Sequence, residues 1–294
     1  MKAGLRTAAL FLLLTGIFLV FGWAIGSVFL GNWITGAVVF IAFAGLMNAV
    51  AYFFSDRIIL WSFRAKIVTE SEAPGLYRVV RRVAMMHNLP MPRVAIIPSA
   101  TPNAMATGRN PEHAVVAATA GLMQTLDERE LTGVIAHEMA HVRDRDILVM
   151  SAAATIAGAL SFLARMFWWN MWLGGSRGNR NSSGLVVIVA LLGLIIAPIA
   201  ALLIQFAISR SREYKADYVG ATTLAAPDAL ADALEKLDRA NRARPMTLGS
   251  PASSGLFITN PYPAGTFTRM FSTHPPMGER IRKLRLLARG QDTY

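Results

Sequence analysis

The sequence predicts a mainly α membrane protein in which up to four transmembrane helices carry an α+β domain on the cytoplasmic side. Three observations predict it. Hydrophobic residues make up 54% of the 294 and the mean hydropathy is +0.42, too apolar for an ordinary soluble chain. The apolar residues gather in two pairs of charge-poor runs, within residues 1–56 and 147–208. The stretches 57–146 and 209–294 are amphipathic, with β-prone runs followed by helical ones, and read as two parts of one domain outside the bilayer.

Composition also narrows the partners. The formal net charge is +11, but the basic residues lie largely beside apolar runs and on one C-terminal helix, with no DNA- or RNA-binding motif among them. The charge is therefore read as facing a lipid bilayer and not nucleic acid. Without cysteine, disulfides and thiolate-ligated metal sites are excluded, so a metal must be held by His, Asp or Glu.

No residue between Arg6 and Asp56 is charged. As one straight helix that run would reach about 70 Å, more than twice a hydrocarbon core of ~30 Å, so it must fold into two passes. These are expected at 7–28 and 34–54, broken at Gly26-Ser27 and Gly31-Asn32, with Trp23 and Trp33 as interfacial anchors. A cleaved leader is disfavoured because the run is long and no small-x-small site follows. Lys2 and Arg6 before the pair, and Arg57, Arg64 and Lys66 after it, put both of its ends in the cytoplasm by the positive-inside rule.

Pro74 opens a helix with Leu76, Val79, Val80, Val83 and Met86 at helical spacing, and Pro90 and Pro92 end it. His87, near its end, is read as a structural residue answering the helix dipole and not as a ligand. Short β-prone runs follow at 93–97, 103–107 and 113–119. Asp127 and Glu130 then spell an N-terminal capping box ahead of the stripe Leu131, Val134 and Ile135.

That helix carries His137-Glu138-Met139-Ala140-His141. Residues i and i+4 share a helix face, so both imidazoles can meet one ion, while Glu138 sits about 100° round the axis. Two neutral imidazoles suit zinc. The adjacent carboxylate is placed to take a proton from a water at the metal, the logic of H-E-x-x-H metalloproteases. Two of only five histidines at this spacing around a glutamate are poorly explained as solvated surface residues.

After Arg143-Asp144-Arg145-Asp146 the charge-free run 147–164 follows almost directly, then Arg165, Trp168, Trp169 and Trp172, then the apolar run 185–208. If this pair spans, Arg165, Arg177 and Arg180 face outside, against the positive-inside rule, so a re-entrant pair stays open beside a spanning one.

A zinc site with two histidines needs another protein ligand. No third histidine follows at metzincin spacing, where Asp144 and Ile147 stand, so the ligand must come from another helix. Glu213 and Asp217 share a helix face just after the fourth apolar run, Glu213 as the candidate ligand and Asp217 as a group to orient a ligand histidine. Position alone leaves this open, because Asp228, Asp232, Glu235 and Asp238 follow on a helix.

Taken together, these features resemble the HtpX-type membrane zinc endopeptidases, gluzincins related to the eukaryotic CAAX prenyl endopeptidases. The resemblance covers nearly the whole chain. It rests on the paired N-terminal spans, Asn103-Ala104-Met105-Ala106-Thr107-Gly108, the histidine motif, the second apolar pair, Glu213 with Asp217, and Ser272-Thr273-His274-Pro275-Pro276. It implies a gluzincin-type metalloprotease domain with one Zn2+ held by His137, His141 and Glu213, and Glu138 as the base. It further implies hydrolysis of membrane or misfolded proteins from the cytoplasmic face of a bacterial inner membrane, as in quality control and the stress response. Asn103, Ala104, Met105 and Ala106 would form an edge strand along which a peptide substrate lies. Met105 stands where the family commonly has an aromatic residue, which leaves any side-chain pocket there undetermined.

His274 is a candidate catalytic residue if it reaches the cleft, and a helix-start residue if it does not. Residues 249–266, rich in Pro, Gly and Ser, are expected to form a loop. Arg280, Arg282, Lys283, Arg285 and Arg289 are expected on the basic face of a last helix, opposite Ile281, Leu284 and Leu287. One rival reading, a membrane cation transporter, needs ionisable groups inside the spans, and the four runs lack them. The other, a non-proteolytic metal-binding scaffold, is opposed by the intact Glu138.

Overall fold

A computed structural model describes residues 3–29, 31–159, 209–262 and 275–291. Helices α1 (Ala3–Phe29) and α2 (Trp33–Ser62) form the expected hairpin, and Asn32 caps α2 by accepting from the backbone N–H groups of Ile34 and Thr35. The two backbones approach so closely at Gly36 that a Cβ there would collide with the Gly22 carbonyl. Both helices are long and apolar enough to cross a bilayer, and only 22% and 11% of their most apolar windows are buried inside the protein. Leu12, Val20, Val38, Leu46 and Phe53 point outward, as lipid-facing side chains do. Helix α2 runs two turns past its expected end at 54, because Asp56 ends the apolar run without breaking the helix and accepts an ion pair from Arg93 at 2.6 Å.

Strands β1 (Lys66–Ile67), β2 (Arg93–Ile97), β3 (Ala104–Thr107) and β4 (Val115–Thr119) make one sheet in the order β1-β2-β4-β3. β2 and β4 are parallel, and the two outer strands pair antiparallel. The two-residue β1 is too short to show a periodicity. The central strands read as continuous apolar runs because both sheet faces are buried. On one face Val94 and Val116 meet α3 (Pro74–Met86), through Leu76, Val80 and Val83, and the inner side of α5 (Glu128–Arg143). On the other, Ile97, Val115 and Met105 share a core with Leu10 and Leu14 of α1 and Phe63 beyond α2. Helix α4 (Ala120–Thr125) links β4 to α5, an element that periodicity did not announce.

Helix α5 does not run directly into the following helix. Arg145 takes a left-handed conformation (φ 57°) and α6 (Asp146–Ala159) starts afresh after it. Residues 146–157 of α6 are buried, with Val149, Ala153 and Ile156 joining the core that contains α1. Residues 160–208, on which a second spanning pair depends, lie outside the described residues.

Helices α7 (Arg210–Thr223), α8 (Pro227–Ala243) and α9 (Met277–Ala288) complete the domain. Arg285 of α9 pairs with Asp228, Asp232 and Glu235 of α8 at 2.8, 2.6 and 3.0 Å, so part of the basic face is docked on an acidic helix. Within the expected loop at 249–266, residues 251–256 form a 3-10 turn and Phe257 and Ile258 are buried against the edge of β3. His87 is the C-cap of α3, yet among the described residues neither ring nitrogen has a hydrogen-bond partner, so it does not answer the helix end through its ring.

Candidate active site

The expected capping box starts α5: Asp127 accepts from the Glu130 N–H at 2.8 Å and Glu130 accepts from the Asp127 N–H at 3.0 Å. The helix so fixed buries His137, Glu138 and His141 on its inner side. Helix α7 packs across it, and contact is possible because position 220 is glycine. A Cβ there would lie 2.9 Å from the backbone nitrogen of His137. This packing brings Glu213 opposite both imidazoles, one carboxylate oxygen 3.9 Å from His137 Nε2 and the other 3.5 Å from His141 Nε2.

The two rings stand nearly perpendicular, at 85°, with centroids 4.9 Å apart. One donor atom from each of His137, His141 and Glu213 lies within 4.8 Å of the others. Zinc bonds of about 2.1 Å at tetrahedral angles separate ligand atoms by about 3.4 Å, so two imidazole nitrogens and a carboxylate at these spacings fit one such ion.

The surroundings tune these groups. Asp217 Oδ1 lies 2.9 Å from His137 Nδ1, and burial, against the pull of Asp217, holds that imidazole below its ordinary pKa. For His141 burial again opposes the charge, but Asp146, Glu213 and Glu138 outweigh it and raise the ring to about 9. Burial pushes the Glu138 carboxyl up to about 7, with Glu213 adding to the rise while His141 and the Ala106 N–H oppose it. The Ala106 contact sets β3 beside Glu138.

Sequence reasoning missed Arg280, which it placed on a basic outer face. The side chain is fully buried, donates from Nε and one terminal nitrogen to both oxygens of Asp217 at 2.8 and 2.7 Å, and donates from the other to the Ile258 carbonyl at 2.7 Å. Burial pushes the Asp217 carboxyl up, but the charge and hydrogen bonds of Arg280, with His137 beside it, outweigh that and leave it below the usual carboxylate range. The signal was available: Arg280 and Leu284 are four apart and so share the buried face.

The edge strand also differs from expectation. Asn103 is fully buried and donates to the Thr259 carbonyl at 2.8 Å, and the Ile258 N–H donates to the Ala104 carbonyl at 3.2 Å. The outer edge of β3 is thus covered by the chain itself at Ala104, with an isolated bridge between Met105 and Phe257. Sequence reasoning could not see this, because the covering residues lie in a Pro/Gly/Ser-rich stretch without strand periodicity. His274 lies outside the described residues.

Residues 70–288 match the profile of peptidase family M48. The chain is 47% identical over 287 residues to a protease HtpX homolog of Thermococcus sibiricus, covering 97% of this chain and 96% of that one. It is 49% identical over 280 residues to one from Syntrophotalea carbinolica, covering 95% and 97%. The crystal structure of S. mikatae Ste24p aligns with a TM-score of 0.46 at 18% identity, over 91% of this chain and 61% of that one. The chain belongs to peptidase family M48, among the HtpX-type proteases, and is a membrane metallopeptidase.

Proposed function

We propose that this chain is a zinc endopeptidase that cuts membrane or misfolded polypeptides at the cytoplasmic face of the bacterial inner membrane, in a quality-control role. The observation that carries the reading is the meeting of His137, His141 and Glu213 beside the buried carboxyl of Glu138. Zinc held by those three residues supplies a Lewis acid that polarises the scissile carbonyl and acidifies water.

The remaining work falls to the chain. Glu138 takes a proton from the attacking water on its carboxylate and hands it to the leaving amine nitrogen, a task suited to a carboxyl whose proton affinity burial raises. Asp217, 2.9 Å from His137 Nδ1, is placed to take the proton of that nitrogen and leave Nε2 bare for the metal. The substrate is placed as an added strand beside Asn103, Ala104, Met105 and Ala106, with Ile258 giving up its bond to Ala104. His274, which lies outside the described residues, is assigned the oxyanion-donor role on condition that it reaches the cleft, and a helix-start role otherwise. The charge-free hairpin with basic residues at both ends supports a cytoplasmic site.

The test is Glu138→Gln in the purified, detergent-solubilised protein. The amide cannot act as a base while all three donors remain, so zinc content stays at the wild-type level and cleavage of an unfolded model protein falls by about 10²-fold or more. Wild-type turnover in that variant would end the mechanism. Glu213→Ala should lose most of the zinc and Asp228→Ala should keep it, since Asp228 is tied to Arg285 instead. Equal metal content in the two would show that the third ligand lies elsewhere.

A further inference from the structure

The two histidines are supported in parallel ways. Each turns Nε2 to Glu213 and Nδ1 to a different carboxylate: His137 to Asp217 at 2.9 Å, and His141 to Asp146 Oδ2 at 3.8 Å. Sequence reasoning treated Asp146 only as a charge at the edge of an apolar run. It is buried, 4% exposed, and its other oxygen receives Arg212 at 3.2 Å and Arg6 at 3.5 Å. Arg212 precedes Glu213 on α7, and Arg6 lies on α1, the first membrane helix. One carboxylate therefore faces a histidine of α5, starts α6, and accepts from α7 and α1.

We propose that Asp146 is a positioning residue for His141, and that Arg6 links the seating of α1 to the orientation of that imidazole. A carboxylate this deep is costly unless its lone pairs are met, and here two guanidinium groups hold one oxygen while the other is aimed at Nδ1. An imidazole that binds metal through Nε2 needs an acceptor at Nδ1 to set its tautomer and plane. At 3.8 Å the pair is longer than a direct hydrogen bond, so a small shift of the ring toward Asp146 completes it. Arg6 reaches Asp146 because Leu10 and Leu14, one and two turns further along α1, are buried in the core shared with α6. Seating of the membrane helix thereby reaches a metal ligand through one ion pair.

This rests on the metal-site reading above, and the experiment separates the two. Zinc affinity is measured on the full-length detergent-solubilised protein by competition with a chromophoric chelator, and the visible absorption of the Co2+-substituted form reports ligand geometry. Asp146→Ala and the isosteric Asp146→Asn, which guards against loss of folding in the first, should weaken zinc by about 10- to 100-fold and shift the Co2+ bands. Asp146→Glu should recover part of the affinity. Arg6→Gln should weaken zinc several-fold, and its effect should vanish in the Asp146→Asn background, because the two residues act through one contact. Wild-type affinity and unchanged bands in Asp146→Asn overturn the positioning role, and a normal Arg6→Gln, or additive effects of the pair, overturn the link to α1. A wild-type protein that takes up no metal, or a Glu213→Ala variant that binds as wild type does, overturns the metal-site reading instead.

Discussion

At the residue scale the site is an arrangement of buried charges, each of which requires a partner. Arg280 meets both oxygens of Asp217 and a backbone carbonyl in a fully dry setting, and Asp217 in turn meets His137. Removing one member of such a pair leaves the other desolvated and unpaired, which costs about 3–5 kcal/mol. Arg280→Met is therefore expected to lower the melting temperature by roughly 10 °C and to weaken metal binding, as Asp217 loses its anchor. Arg280→Lys should rescue little, because an ammonium cannot form the two parallel bonds. Differential scanning calorimetry with a parallel metal assay checks this; a Lys variant as stable as wild type would mean that charge alone is needed there.

At the element scale, what matters is how closely α7 lies on α5 and how α3 ends. A Cβ at position 220 would press on the His137 backbone, which cannot yield as a flexible side chain could. Gly220→Ala should therefore cost about 1–3 kcal/mol and lower metal affinity by moving Glu213 away from the histidines. Gly75→Ala, on a helix with open space around it, should leave both unchanged or raise stability slightly. Equal behaviour of the two variants would remove the close packing as the reason for glycine at 220.

The end of α3 makes a different prediction, about pH. Burial, helped by the charge of Arg143 and opposed by that of Asp144, lowers His87 to about 4 from a usual value of 6.5. Between those pH values the unfolded chain binds a proton that the folded protein refuses, so stability is complete above about 6.5 and falls as the pH drops toward 4. The loss is at most about 3 kcal/mol and levels off below the folded pKa. His87→Phe should show a flatter decline in melting temperature across that window, and an identical slope in both proteins would assign the acid sensitivity to other groups.

At the scale of the whole molecule, the sheet is the plate between two cores. One joins it to α3, α5, α8 and α9, and the other joins it to α1, α6 and the end of α2. The hairpin is thus packed into the domain that carries the histidines, and is not a tether at the end of a flexible linker. The charges at its ends make a prediction about topology. A reporter fused after Arg289 or at Asp56 is expected to read cytoplasmic, and one at Gly178 external if the second pair spans. An external reading after Arg289 would remove the cytoplasmic site, whereas a cytoplasmic reading at Gly178 would remove only the four-span arrangement.

What the sequence by itself determined is what near neighbours control. The N-terminal hairpin, the box that starts α5, and the placing of His137 and His141 on one face depend on residues three or four apart or on one continuous apolar run. What only the tertiary structure decided is which distant side chains meet. Glu213 faces both histidines while Asp228 is held by Arg285. Arg280 reaches Asp217 across 63 residues, Arg212 reaches Asp146 across 66, and Asn103 holds Thr259 across 156, over the edge of β3. Periodicity reports which face of an element is buried but not what is buried against it, and for a charged side chain the partner decides whether burial is tolerated at all.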